Sequence, residues 1–439
     1  MTNPAGTRTA GRFPVVAWAL WDCGATGVNA IVVTFVFSVY LTGQVGAGLP
    51  GSTTPTAWLG WALFAAGLAV AALAPVTGIW VDAAHRRRTV LAALTAIVIA
   101  LTASMSAIRP EHRYLWVGLL LLSVTAACSD LATVPYNAML RELSTPDTSG
   151  RISGFGAASG YLGSVLLLLV AYFGFIGGAD GDTSGLFGVP AGDGWPVRLV
   201  MLVAAAWFAV FAVPLVVGAR TRVDPVAPES PVVTGGVVGA YRKLWSDLGD
   251  QWRRDRNVVY YLAASAVFRD GLTGIFTFGA VLGVSAYGVS GADVLLFGMC
   301  ALVVAATGAV LGGLLDDRIG SKPIIVGSLV AMITVALVMM TLHGPAAFWA
   351  CGLALCLFIG PIQSSARTTM MRMSVEGKEG AAFGLYTTTG RAATFLAPIL
   401  FTTFITVFGT DRAGMGGLVT VLALGLVAIC FVRVPRHSA

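Results

Sequence analysis

Within VAWALWDCGATGVNAIVVTFVFSVYL, which runs from Val16 to Leu41, Asp22 interrupts an otherwise apolar stretch and is followed by Thr26 and Asn29 at four and seven residues. That spacing places all three on one helical face. An ionised carboxylate in hydrocarbon costs at least about 2.5 kcal/mol. The face must therefore turn toward a polar interior that shelters, pairs or protonates the acid. A second stripe joins Asp270 to Thr273 and Thr277, and a third joins Asp130 to Thr133 and Asn137, with Tyr136 alongside. Cations accompany them: Arg391 within YTTTGRAATF, and Arg367 one turn beyond Gln363. Such a set can pair ions, carry protons on carboxylates and bond a polar solute.

Depth and direction divide the roles. At 1.5 Å per residue Asp270 lies about 18 Å into its span, near the bilayer middle. It is the expected solute-site carboxylate, and Arg391, a permanent cation, is expected to face it or a carboxylate of the solute. Arg269 points about 100° away on the helix, so it and Asp270 cannot both face one cavity squarely. Thr26, Asn29, Thr273, Thr277, Gln363, Tyr136 and Asn137 complete the expected solute site. Asp22 and Asp130 are the candidate proton carriers. They either share one proton as a coupled pair, or Asp130 pairs with Arg141 or Arg151 in a gate.

The elements that position these groups follow from composition. Of 439 residues 56% are hydrophobic and 11% charged, and the mean hydropathy is +0.82, which describes a polytopic membrane protein. Apolar runs of about 20 residues, without the alternation of short strands, exclude a β-barrel and predict helices. They fall near 14–41, 56–80, 88–108, 114–140, 152–176 and 196–218, then near 257–287, 292–315, 322–343, 346–372, 380–408 and 414–433. The first is read as a retained span, being too long for the core of a signal peptide. The expected organisation is a tail at 1–13, a six-helix bundle at 14–218, a linker at 219–256, a second six-helix bundle at 257–433 and a tail at 434–439. In the linker, Tyr241, Leu244, Trp245, Leu248 and Trp252 recur at helical spacing. They suit either an interfacial helix or a partly solvated one.

The net charge of +6 sits in short loops between spans, so it reports orientation and not a nucleic-acid partner. Arg86, Arg87, Arg141, Arg151, Arg318, Lys322, Arg372 and Arg433 fall on one side together with the linker. The loop GGADGDTSGLFGVPAGDGW on the other side has no Lys or Arg. Both termini and the linker are expected to be cytoplasmic, in the cell membrane. The six cysteines form no CxxC pair and stand near no His cluster, so they read as buried hydrophobes and no metal is expected. Neither a Walker A sequence, nor HExxH, nor GxSxG at a strand–helix junction occurs, so no enzymatic chemistry and no cofactor is expected.

The halves repeat. GIWVDAAHRRR from Gly78 and GLLDDRIGSKP from Gly313 each place a Gly four residues before an Asp, Asp82 or Asp317, with basic residues beyond. Asp82, Asp317, Arg86, Arg87 and Arg318 are the candidate gating residues, each Asp either capping a neighbouring helix or pairing with an Arg. Two six-span halves that each carry this loop resemble the major facilitator superfamily. The resemblance implies an all-α fold of twelve transmembrane helices in two pseudo-symmetric bundles that rock about a central site.

Four stretches carry a closer likeness: WALWDCGATGVNAIVVTFVFSVYL, VPYNAMLRELSTPDTSGRISGFGAASGYLG, VFRDGLTGIFTFGAVLG and GPIQSSARTTMMRMSVEGKEGAAFGLYTTTGRAATFLAPILF. Together they resemble the branch that includes the fungal vacuolar amino-acid effluxers of autophagy. That branch usually has Tyr before the first-span Asp and a larger polar pair after it, where this chain has Trp21, Gly24 and Ala25. The resemblance implies a monomeric secondary transporter, proton-coupled, for an amino acid or short peptide. A sugar carrier similar to the glycoside–cation symporters, a lipid flippase and a non-transporting scaffold are the alternatives. Matched stripes on the first spans of both halves argue against the scaffold.

Overall fold

The computed structural model describes residues 11–50, 53–178, 183–190, 192–218, 242 and 256–434. Apart from Arg242, the expected amphipathic segment of the linker lies outside the described residues. Twelve helices there are long and apolar enough to cross a membrane. Spans 1 to 6 are Arg12–Val45, Pro55–Trp80, Arg86–Ala107, His112–Leu143, Ser149–Ile176 and Gly192–Val217. Spans 7 to 12 are Arg256–Tyr287, Leu296–Ile319, Ser321–Thr341, Pro345–Met373, Glu379–Phe408 and Ala413–Phe431. The expected major facilitator fold is what forms.

Packing repeats between the halves. Span 1 packs on spans 5 and 6, span 2 on span 4, and span 3 on spans 4 and 6; span 7 packs on spans 11 and 12, span 8 on span 10, and span 9 on spans 10 and 12. The bundles meet along two equivalent seams, span 5 against span 8 and span 2 against span 11. Both seams are glycine-lined because the backbones touch. A Cβ on Gly78 would stand 2.3 Å from the Gly380 carbonyl oxygen, and one on Gly154 would stand 2.4 Å from that of Ala309. Small residues permit this approach where lipid supplies no hydrophobic force between helices.

Spans 1, 5 and 11 depart from a regular α-helix, span 5 turning π-helical at Tyr172–Ile176. Span 1 turns π-helical at Ala30–Phe35 and Leu41–Val45. Span 11 stops at Ala392 and restarts at Leu396. Pro398 has no N–H to give the carbonyl one turn back, and the Ala397 N–H is diverted to the Asp270 carboxylate at 2.6 Å. The break therefore has a side-chain cap from span 7.

Candidate functional site

At the end of the molecule that carries the basic loops, the bundles are sealed by helix caps and ion pairs. Asp82 accepts a hydrogen bond from Ala381 N at 3.0 Å, at the start of span 11. Asp317 accepts from Gly150 N at 2.7 Å and Arg151 N at 3.1 Å, at the start of span 5. Each repeated Asp thus caps a helix of the opposite bundle, where its charge also meets the positive end of the helix dipole. Arg87 reaches from span 3 to Glu379 of span 11 at 2.7 Å and to Glu142 at 2.8 Å. Arg141 lies 2.9 Å from the other Glu379 oxygen and donates to the Met371 and Ser374 carbonyls. On the second seam Arg372 pairs with Asp316 at 2.7 Å and donates to Ser149 Oγ at 2.8 Å.

Among the expected gating residues, Arg87 bridges the bundles. Arg86 and Arg318 make no ion pair among the described residues. Arg318 is exposed, because its position on the last turn of span 8 turns it away from the seam. Burial raises the Asp82 carboxyl to about 7; the Ala381 N–H and Arg87 oppose the rise, and Glu379 adds to it. In water that carboxyl returns to about 4. The sealed form therefore binds the extra proton, and the resulting stabilisation is complete below about pH 4 and lost as pH rises through 7. Spin labels at the exposed positions Asp147 and Glu376, one on each bundle, are expected to show more of the short, sealed distance at pH 6 than at pH 8. Asp82→Asn should flatten that dependence, and an unchanged dependence in the variant would refute the assignment.

Above the seal lies a cavity of ≈ 400 Å³ between the bundles, lined by Asp22, Thr26, Asp130, Tyr136, Asn137 and Tyr161 on one side and by Arg269, Asp270, Gln363, Arg367, Tyr386 and Arg391 on the other. The Arg391 side chain is 39% exposed at mid-span, and Thr273 and Thr394 on the lining are also exposed. With the basic end shut, solvent reaches them from the opposite end. Asn29 and Thr277 continue their stripes beyond the lining residues. The helix direction that aligns them with Asp22 and Asp270 also carries them outward.

The charge pairing differs from the sequence expectation. Arg391 donates to Asp130, not to Asp270, so the deep guanidinium is matched from span 4 across the bundle boundary. Asp270 is 3% exposed and spends one oxygen on the break in span 11. Arg141 and Arg151, the other expected partners of Asp130, serve Glu379 and Asp317 in the seal. Asp22 and Asp130 each face a separate arginine. Asp22 accepts from Thr26 at 3.1 Å, while Arg367 stands 4.0 Å from its other oxygen. Arg367 is loosely held, donating to Asn137 Oδ1 and the Ser153 carbonyl at 3.4 Å each.

An aromatic stack supports this corner. Tyr136 lies between Trp18, at a centroid distance of 4.4 Å, and Trp21, at 4.6 Å. Trp18 Nε1 donates to the Tyr136 carbonyl and Trp21 Nε1 to Thr95 Oγ1, both at 3.0 Å. Trp21 and Gly24 therefore serve packing: Trp21 is buried against spans 3 and 4, and a Cβ on Gly24 would meet the Phe208 ring at 2.7 Å. The departure from the branch pattern at these two positions leaves the cavity wall untouched. Arg367, Tyr161 and Arg269 line the cavity as well, although none of them belongs to the solute site expected from the sequence. An arginine at mid-span was the available signal for two of them.

Comparisons with known proteins agree with this architecture. The family model described as vacuole effluxer Atg22 like matches residues 61–439. An uncharacterized MFS-type transporter of Bacillus subtilis, YxiO, is 22% identical over 417 residues, covering 95% of this chain and 94% of that protein. Autophagy-related protein 22 of Yarrowia lipolytica is 21% identical over 281 residues, covering 58% of this chain and 45% of that protein, so the match spans less than half of the fungal relative. Among solved structures, the major facilitator FucP in its outward conformation aligns with a TM-score of 0.69 at 13% identity, over 97% of this chain and 100% of that one. The proton:xylose symporter XylE aligns with a TM-score of 0.69 at 15% identity, over 96% and 95%. Two matched bundles around a solvent-reached cavity, with a family match over most of the length, place this chain in the Atg22-like family of major facilitator secondary transporters.

Proposed function

We propose that the protein carries an amino acid or short peptide across the cell membrane by alternating access, coupled to protons, as a monomer. The observation that carries this reading is the cavity: charges of both signs face a solvent-reached space that is shut at the basic end. A zwitterion needs both signs, and ≈ 400 Å³ lies at the small end of the roughly 300–1,000 Å³ usual for ligand pockets. Thr26, Asn137, Tyr136, Gln363 and Thr273 supply neutral hydrogen-bonding groups, with Asp270 and Arg391 at the cavity edge. Asn29 and Thr277 stand outside the cavity lining and are not assigned to the solute. The resemblance of the sequence to the fungal vacuolar amino-acid effluxers favours amino acids over sugars, whose carriers FucP and XylE share the fold alone. Uptake of labelled amino acids and dipeptides into proteoliposomes under a pH gradient tests the reading. Failure of every one to accumulate would reject the substrate class.

The basic end faces the cytoplasm in this reading, with both termini and the 219–256 linker on that side. In a cysteine-free background, Leu186→Cys and Glu376→Cys should label from opposite sides of the membrane. Labelling of both from the same side would overturn the topology. Asp82 and Asp317 act in gating, since each caps the opposite bundle at the seam that must part. Asp317→Asn is expected to change turnover more than solute affinity, with charged hydrogen bonds of about 1.5–3 kcal/mol removed from the sealed state alone. Equal turnover in reconstituted protein would remove Asp317 from the gate.

A further inference from the structure

We propose that Arg269 is the residue that binds the carboxylate of the transported solute. The proposal rests on the reading of the cavity as a solute site and names the group that the site selects. Asp22, Asp130 and Asp270 line the cavity together with Arg269, Arg367 and Arg391, so the formal charges balance, but the contacts do not. Arg391 holds Asp130, Arg367 faces Asp22, and Asp270 is turned into the break of span 11. Arg269 has no carboxylate within ion-pair distance among the described residues. A guanidinium does not deprotonate, and an unmatched cation at mid-span is costly. An anion that arrives with the cargo would match it.

The site around this arginine is built to present it. Its guanidinium carbon sits 3.9 Å from the Tyr386 ring centroid, and Nη1 donates to the Tyr386 carbonyl at 3.0 Å. One turn on, Gly390 leaves the room the guanidinium occupies: a Cβ there would lie 2.9 Å from Nη1. Stacking on Tyr386 and one backbone bond fix the plane and leave the remaining donors of the fork for an oxyanion, the geometry in which arginine binds carboxylates with two parallel bonds. The same cavity holds one more unfulfilled group, the buried Tyr161 hydroxyl, which has no hydrogen-bond partner among the described residues, and the Tyr136 hydroxyl stands beside Asp22 and Arg367. These suit the remaining polar atoms of a small solute. One unshared positive charge matches a carboxylate monoanion better than a phosphate dianion.

The test is the thermal stability of the purified full chain against the twenty L-amino acids, their carboxamides, lactate, succinate, inorganic phosphate and glucose, since a ligand of the folded state raises its stability with concentration. Amino acids should stabilise the protein with apparent affinities at least about tenfold above those of their amides. Arg269→Gln should erase the difference, and Arg269→Lys should keep a reduced one. Where Arg269→Gln does not fold, Gly390→Ala displaces the guanidinium without removing its charge and should also shrink the acid–amide ratio. Acids and amides that bind alike would overturn the inference and leave the amino-acid reading standing. Arg269-dependent binding of lactate or succinate without amino acids would uphold the inference and reject that reading. Stabilisation by glucose or phosphate alone, or by nothing in the panel, would overturn the inference.

Discussion

In Asp22→Asn proteoliposomes, accumulation of solute driven by a proton gradient is expected to fall to the equilibrative level while exchange of internal for external solute persists. The expectation follows from how the two cavity carboxylates of the first bundle are held. Asp130 is bound directly by Arg391, so a proton arriving there would have to break an ion pair. Asp22 has neutral hydroxyls beside it, Thr26 at 3.1 Å and Tyr136, and an arginine no nearer than 4.0 Å. It is therefore the acid freer to take and release a proton as the cavity dries and wets. Asn preserves the hydrogen bond to Thr26 and removes the titration. Exchange needs the solute site and alternating access but no net proton movement, so it separates coupling from binding. Undiminished driven uptake would remove Asp22 from coupling, and loss of exchange as well would make it a binding residue.

Glu379→Gln is expected to cause the largest loss of the sealed state. Arg87 and Glu379 are 4% and 2% exposed, and Glu379 also faces Arg141 at 2.9 Å. Removing one partner of a buried pair costs about 3–5 kcal/mol because the other charge stays buried and uncompensated. Glu142 continues to bond Arg87 and brings the effect toward the lower end, about 3 kcal/mol, roughly a 100-fold shift from sealed to open. Spin labels at Asp147 and Glu376 should report it as a transfer from the short to the long distance. An unchanged distribution would show that the glycine-lined backbone contacts alone keep the bundles closed.

Much of this was legible in local chemistry. The twelve spans required only the length and continuity of the apolar runs, and the two-bundle arrangement followed from the repeated Gly–Asp loop. The polar stripes on spans 1, 4 and 7 pointed to an interior cavity, because a helix fixes which residues share a face whatever packs against it. Asp22, Thr26, Asp130, Tyr136, Asn137, Gln363, Asp270 and Arg391 all reach the cavity lining.

Partner choice was not legible, because it depends on the rotation and depth at which separate helices meet. Asp270 and Arg391 both lie deep in their spans, yet the break at Ala393–Phe395 presents the Ala397 N–H to Asp270 and leaves Arg391 to Asp130. Arg269 and Asp270 diverge by about 100° on span 7, and it is the carboxylate that turns to the Ala397 N–H while the arginine lines the cavity. Glu379 could not be found by any local pattern, since its partners Arg87 and Arg141 are hundreds of residues away in the chain. Which residues must avoid lipid is written in their order along the chain; which of them meet is set by the packing of the helices, because an ion pair forms at a separation of a few ångströms and not at a spacing in sequence.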